Sequence, residues 1–492
     1  MNRKTPIKLN YEKFRDHVYA CWIGKNIGGT MGTPFEGKRE MQDISGFTSA
    51  PGKPLPNDDL DLQLVWLHAM ESAGPKAISA SLLGEYWLSF IGPNWNEYGI
   101  GKNNMRRGLI PPLSGDHDNS WKNSNGAWIR TEVWACMAPG CPDLAASYAI
   151  EDAKVDHGSG EGTFAAAFVA AMQSAAFVVK DINKCIEIGL AEIPDDCRMA
   201  DSIRLALKCY ADKVPIREAR NMIQQRNADI GDGWFEAPSN VAYAILGLLY
   251  GEGDFKKSMI YAINCGDDTD CTGATVGATL GILGGSNAIP TDWKEYIGDE
   301  IVTISIIKGH HLTSNRLPTS CVELTERVVA QAPGVLSINN AYVELTNESD
   351  LIPEDVGNFI YSRCNFKRIS SQLKEYTMHF DSPLFYANVY LSDSPAISPL
   401  DERKITVYVH SNYELGDILQ NIEARWWLPD GFTVEGRSGF VLTNHDIHGD
   451  AEITVEYLIK APEKIAISNR CVLELCALGR PTPMYIPITL LG

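Results

Sequence analysis

The spacing of apolar residues changes two thirds of the way along this chain of 492 residues, and that change limits the folds open to it. Before residue 332 the pattern is helical. Phe164, Phe168, Met172, Ala175 and Val179 recur at helical spacing in an Ala-rich stretch, which predicts a helix buried on most sides. Leu60, Leu64, Leu67 and Met70 make a second apolar stripe, and the segments Val241 to Tyr250 and Ser258 to Asn264 read alike. After Ala332-Pro333-Gly334 the period falls to two. Ile405, Val407 and Val409 alternate with polar residues, as do Ile453, Val455, Tyr457 and Ile459, the pattern of half-buried strands. Pro429-Asp430-Gly431 and Asn444 to Asp450 supply turn chemistry between them. The expectation is a multidomain chain: an all-α domain over residues 1–332 and an all-β domain, most simply a sandwich, over 333–492.

Gly92 to Asn125 fits neither pattern. It is rich in Gly, Asn and Pro, carries Trp95, Tyr98, His117 and Trp121, and reads as a long loop. Its aromatics either stack on a ligand or pin the loop to the domain.

Composition narrows the function. Hydrophobic residues at 45% and charged residues at 21% exclude wholesale disorder, collagen-like repeats and coiled-coil fibres. With 62 acidic against 43 basic residues the net charge is -19, a field that repels nucleic acid and anionic membrane surfaces. No Lys/Arg run is present. Met1 to Tyr11 is polar and basic with no apolar stretch behind it, so no secretory signal is expected. Phe164 to Val179 is too short to span a bilayer and contains Gln173 and Ser174. Twelve cysteines show no CxxC pair and no zinc-type spacing, which points to reduced, buried thiols and a cytoplasmic location.

Two acidic clusters stand where loops enter helices: Asn57-Asp58-Asp59, and Asp267-Asp268-Thr269-Asp270-Cys271-Thr272. Either cluster alone reads as helix capping. The glycines nearby add a second signal. Gly24, Gly28 and Gly32 repeat every four residues, and so do Gly273, Gly277, Gly281 and Gly285. Each costs about 1 kcal/mol in a helix interior relative to Ala, so a ridge of them needs a reason such as close helix–helix approach. Such an approach brings the two acidic helix starts together. Converging carboxylates call for a cation, and hard ions such as Mg²⁺ or Mn²⁺ prefer oxygen ligands.

These residues resemble the ADP-ribosylglycohydrolase family, which includes the dinitrogenase reductase-activating glycohydrolase. The family's opening GxxxGDxxGxPxE pattern is similar to Gly24, Gly28-Gly29, Gly32, Pro34 and Glu36; its TDD motif to Asn57-Asp58-Asp59; and its GGDTDT motif to Gly266-Asp267-Asp268-Thr269-Asp270-Cys271. Weaker matches lie at Asn125-Gly126-Ala127, His157-Gly158 and Asp232-Gly233-Trp234. The stretch from Gly253-Asp254-Phe255 to Asp270-Cys271 resembles a bacterial branch of the family. The likeness covers about residues 10–310 and leaves the β region untouched. Three positions depart from it: Asn57 and Cys271 stand where the family has Thr, and Gly29 where it has Asp. Thr272 compensates for Cys271 only if the helix start shifts.

The resemblance implies one or two Mg²⁺ ions (or Mn²⁺) held by Asn57, Asp58, Asp59, Asp268, Asp270 and Cys271, with Glu36, Asp59 and Asp268 catalytic. It places substrate at Asn125, Gly126, His157, Gly158, Gly160 and Trp234. Hydrolysis of a ribosyl bond passes through an oxocarbenium-like state that needs acid/base carboxylates. Glu161 is a second acid/base candidate. Lys102, Arg106 and Arg107 are the cations available for a pyrophosphate, and no P-loop is present. Three functions follow: an ADP-ribose hydrolase, a hydrolase of another furanoside, or a binder of ADP-ribose or sugar without turnover. Every motif precedes Gln331, so the helical part is expected to hold metal by itself.

Overall fold

The computed structural model describes residues 7–307, 317–364, 373–412, 419–443 and 451–492. It is a multidomain structure, helical in its first part and built of antiparallel sheets in its last. Among the described residues, no helix is long and apolar enough to cross a membrane.

Helix α1 (Tyr11–Gly32) is capped by the Asn10 side chain on the Lys13 amide and is buried on every side from Ala20 to Gly32. Helix α2 (Asp58–Ala73) is likewise buried from Asp59 to Met70. The expected Ala-rich helix runs over Glu161–Ala176, buried along nearly its whole length. The two other helical segments lie in Ala237–Gly251 and Phe255–Asn264.

The glycine ridges meet. α1 packs antiparallel to the Thr269–Gly284 helix, so that Gly24 faces Gly277, Gly28 faces Gly273, and Gly32 faces Thr269 and Asp270. A Cβ on Gly24, Gly28 or Gly277 would lie closer than 3.0 Å to backbone atoms of the other helix. Gly285 is not part of the ridge; at φ 68° it terminates its helix beside Asp16. Backbone cannot move aside as a flexible side chain can. Gly28→Ala is therefore expected to destabilise the protein by about 1–3 kcal/mol, an overpacking loss readable from thermal melting. A melting temperature equal to that of the unaltered chain would show that the helices can part freely.

The chain divides into two compact units. One takes in residues up to Tyr98 and from Ser120 to 366; the other takes in Gly99–Asn119 and the chain from 367 onward. The boundary expected at 332 falls inside a continuous helix, Cys321–Ile338, which carries Pro333 within it. That helix buries Val328, Val329, Ala332 and Val335, so the apolar period continues through the Pro-Gly pair. The helical unit also holds a short parallel pair, β1 (Ile7–Asn10) with β2 (Val343–Thr346).

The second unit has two antiparallel sheets. One has the order β3 (Thr377–Asp381), β4 (Phe385–Leu391), β5 (Glu402–Ser411), β9 (Glu452–Lys460), β7 (Thr433–Gly436). The other has the order β11 (Met484–Leu491), β10 (Ser468–Ala477), β6 (Leu419–Trp427), β8 (Gly439–Thr443). Ile405, Val407, Val409, Val455, Tyr457 and Ile459 from the first share one core with Ile422, Leu473, Leu475 and Ile486 from the second, which makes a sandwich. Pro429-Asp430-Gly431 turns between β6 and β7, with Gly431 at φ 82°. The other expected turn, Asn444 to Asp450, lies outside the described residues.

Gly92 to Asn125 is not a structureless loop. It forms a helix over Asn96–Arg106 and a short turn of helix over Leu113–Asp116. Asn104 fastens the two by donating to the Ser114 and His117 carbonyls, and Leu109 and Leu113 enter the sandwich core.

Candidate functional site

The antiparallel glycine packing decides where the acidic groups lie. It sets the end of α1 beside the start of the Thr269–Gly284 helix. A short turn, Thr33–Phe35, then carries the chain from α1 to Glu36. The loops are tied to each other through Gly37 N to Asp267 O (2.9 Å) and Asp267 N to Lys38 O (2.7 Å). Asp267, at φ 67°, spends its side chain on the Phe235 amide and the Asn240 side chain, so it shapes the turn.

Asp58, Asp268, Asp270, Cys271 and Glu36 line one cavity, with Trp95, Glu97, Tyr98, Asn125, Gly126 and Phe235 among its other walls. Donor atoms of Glu36, Asp268 and Asp270 lie within 4.8 Å of one another, and so do those of Asp59, Asp270 and Cys271. Asn125 donates to Asp268 at 2.6 Å, and the Tyr98 hydroxyl donates to Asp58 at 3.1 Å. Both oxygens of Asp59, one of Asp268 and one of Asp270 are buried without a hydrogen-bond donor. Buried oxygens in that condition are costly, and a hard cation satisfies several of them together.

The electrostatics agree. Burial pushes Asp59 up to about 7, with Lys25 pulling the other way. Asp268 and Asp270 are raised well above the usual carboxylate range, first by burial, then by Glu36 on Asp268 and by Asp268 and Glu36 on Asp270. Glu36, although exposed as a residue, is raised by burial of its carboxyl end and by Asp58. Four acids that resist ionising together are chemically suited to a cation among them. Lys25, fully buried one residue after Gly24, supplies some of it at 3.1 Å from Glu132 and 3.7 Å from Asp59. Sequence reasoning passed over Lys25, although its place on the ridge helix was the available signal.

The three departures from the family pattern are not independent. Asn57 caps α2 by accepting from the Asp59 amide (2.7 Å), and its side-chain nitrogen fills the space a Cβ on residue 29 would need. Gly29 and Asn57 therefore fit each other. Cys271 stays among the acids, with burial raising its thiol well above the ordinary range. Thr272 does not replace it, because its hydroxyl donates to Thr269 O within the helix.

Other expected residues go elsewhere. His157 is completely buried behind the cavity wall rather than on it. Its Nδ1 lies 2.9 Å from Asp156 and its Nε2 lies 3.3 Å from the Ser124 hydroxyl. Gly158 and Gly160 shape the turn into the Glu161–Ala176 helix and do not line the cavity. Trp234 is also off the wall, stacked on the Arg39 guanidinium at 3.8 Å, while its neighbour Phe235 takes the wall position. Both carboxylate oxygens of Glu161 accept from the Arg198 and Met199 amides, which makes it a helix anchor. Lys102, Arg106 and Arg107 belong to the second unit, and none lines the cavity. Sequence reasoning also missed the wall residues Glu97 and Phe235, neither of which carries a motif; Trp95 and Tyr98, noted only as loop aromatics, are wall residues too.

A family model described as ADP-ribosylglycohydrolase matches residues 10–326. The chain belongs to the ADP-ribosylglycohydrolase family. The family hydrolyses glycosidic bonds and is typically metal-dependent, and the acidic clusters here suit an ion. Among solved structures, similarity extends to an "ADP-ribosylglycohydrolase-related protein complex" at 18% identity and a TM-score of 0.43, covering 66% of this chain and 99% of that one. A FixG-related protein from Vibrio parahaemolyticus overlaps at 8% identity and a TM-score of 0.19, covering 23% of this chain and 98% of its own. The GAE domain of yeast GGA1 overlaps at 12% identity and a TM-score of 0.17, covering 24% and 99%. At these scores the structural overlaps carry no weight. No curated protein matches the chain at a significant level.

Proposed function

We propose that this protein is a divalent-metal-dependent hydrolase that releases ADP-ribose from a protein or small-molecule acceptor. The observation that carries the reading is the set of buried carboxylate oxygens of Asp59, Asp268 and Asp270 left without donors beside one cavity. Asp58, Asp59, Asp268 and Asp270 would hold one or two Mg²⁺ or Mn²⁺ ions, with Asn57 and Cys271 at the margin of the set. Bound there, the ion would supply Lewis-acid polarisation and hold ribose hydroxyl oxygens. Glu36, exposed at the mouth with its proton affinity raised, acts as the acid/base group on water. Tyr98 fixes Asp58 and Asn125 fixes Asp268, so the ligand set is held in place before substrate arrives. All twelve cysteines are unpaired, which supports a cytoplasmic enzyme working under reducing conditions, and the likeness of Gly253 to Cys271 to one branch of the family supports a bacterial one.

A second reading, hydrolysis of a neutral furanoside, is favoured by one observation: among the described residues lining the cavity none is Lys or Arg. Release of ADP-ribose from ADP-ribosylated protein, with Mg²⁺ and with chelator, separates the two. Metal-dependent release supports the first reading, whereas cleavage confined to 4-nitrophenyl ribofuranoside supports the second. Binding of ADP-ribose without cleavage of either would make the protein a binder.

Metal and protons compete for the same oxygens. Asp59, at about 7 in the folded protein against about 3.8 unfolded, favours the metal-free fold below pH 4, and that contribution is lost as pH rises through 7. A cation takes the ionised form, so its stabilisation grows over the same interval. The rise in melting temperature on adding Mg²⁺ is expected to be larger at about pH 8 than at about pH 5.5. An equal rise at both would mean that the ion binds elsewhere.

A further inference from the structure

Glu97 came out of the sequence without a role, and it has a built site. It is 6% exposed, lines the cavity, and leaves its Oε2 without a hydrogen-bond partner. Its other oxygen lies against Gly126, where a Cβ would fall closer than 3.0 Å to Oε1. The Ser124 hydroxyl also reaches it, while lying 3.3 Å from His157 Nε2. His157 in turn faces Asp156 at 2.9 Å, and Asp156 takes two bonds from Arg130, at 2.8 and 3.1 Å. Gly162 makes room for the imidazole as Gly126 does for the carboxyl, since a Cβ there would collide with His157 Cδ2. Donor atoms of Glu97, Asp156 and His157 all lie within 4.8 Å of one another. Positive charge is already present in this group as Arg130, so Asp156 needs no ion.

We propose that Glu97 is the general acid that protonates the leaving group, with Ser124, His157 and Asp156 as positioning residues behind it. This rests on the hydrolase reading above. In the step, the bond from ribose C1 to the leaving heteroatom breaks and its electron pair stays on that atom. Glu97 Oε2 gives its proton to the same atom. The water oxygen forms the new bond to C1 and passes its proton to Glu36. Afterwards Glu36 releases that proton to solvent, and Glu97 takes one back once the leaving group departs. The Ser124 hydroxyl lies between His157 Nε2 and the Glu97 carboxyl, and it donates to the carboxylate when Glu97 ionises. Burial raises the Glu97 carboxyl, the direction an acid needs, and His157 lowers it. Asp156 raises it too, and Tyr98 and Glu236 are the other titratable groups facing it, each raised in turn by the Glu97 charge.

The test uses the full chain, Mg²⁺ and two ADP-ribosyl compounds. One carries 4-nitrophenolate, which leaves without a proton; the other carries a peptide serine, which does not. Glu97→Gln is expected to lose about 100- to 10,000-fold in kcat on the serine compound and about tenfold or less on the nitrophenyl compound. It should also lose an infrared band of a protonated carboxyl present in the unaltered protein. Ser124→Ala removes a donor to the Glu97 anion, so the alkaline limb of kcat should move to higher pH. Equal losses by Glu97→Gln on both compounds, or no loss on either, overturn the role of Glu97 while leaving the hydrolase reading intact. An unmoved alkaline limb in Ser124→Ala overturns the role of Ser124. Failure of the unaltered chain to cleave either compound overturns the hydrolase reading, and the role of Glu97 with it.

Discussion

Asp268→Asn is expected to lower turnover about 1,000-fold while leaving the fold intact or slightly more stable. The loss follows from the place of Asp268 among the acids, with one oxygen lacking a donor. Charge stabilisation by a bound ion is worth several kcal/mol, and about 4 kcal/mol is a thousandfold in rate. The fold is spared because Asn keeps an oxygen to accept from Asn125, the bond Asp268 makes at 2.6 Å. It also removes a buried charge that Glu36 and Asp59 oppose. Two measurements check this together: metal content, and melting temperature with and without Mg²⁺. The variant should melt at or above the metal-free parent and gain little from Mg²⁺. Full metal stoichiometry in the variant would remove Asp268 from the ligand set.

Arg130→Met should cost about 3–5 kcal/mol of stability, because it strands charges that cannot reach water. The Arg130 side chain is completely buried and bonds Asp152 at 2.9 Å, Asp156 at 2.8 Å and the Gly126 carbonyl. Burial raises the Asp156 carboxyl, but Arg130 and His157 outweigh it and hold it at about 2. With the guanidinium gone, folded pKa values of both carboxyls climb. A carboxyl whose folded pKa lies above its unfolded one favours the fold at low pH and ceases to do so as pH rises. The deficit should therefore be larger at about pH 8 than at about pH 5, by denaturant unfolding, and Asp156→Asn should recover part of it. A loss below about 1 kcal/mol would show that water reaches the pair.

Close packing explains why His157 and its glycines look like a ligand loop in the sequence. A histidine followed by glycines reads as a ligand loop. Here the glycines serve packing, Gly162 giving space to the imidazole and Gly160 approaching the Lys122 carbonyl. Sequence cannot separate the two uses, because both ask for the same absent side chain. Glu161 was ambiguous for a similar reason. A carboxylate at a helix start serves catalysis or capping equally well until its partners, the Arg198 and Met199 amides, are known.

Amino-acid order by itself determined the succession of helices and strands, because apolar spacing of 3.6 or 2 reports which face is buried wherever the partner lies. It also determined that two glycine ridges and two acidic helix starts exist, and the family to which they belong. Tertiary structure decided what those features touch. The ridges pair with each other, and that pairing puts Glu36, Asp268 and Asp270 within 4.8 Å. It decided that Gly99–Asn119 belongs with the β unit, burying Leu109 and Leu113 there. A chain ended at Gln331 would thus cut the Cys321–Ile338 helix and strip those leucines of their core. The cavity walls Glu97, Tyr98 and Phe235 were decided there too. Local sequence records the period of burial, whereas a site is made of contacts between residues distant in the chain, and no local period encodes those.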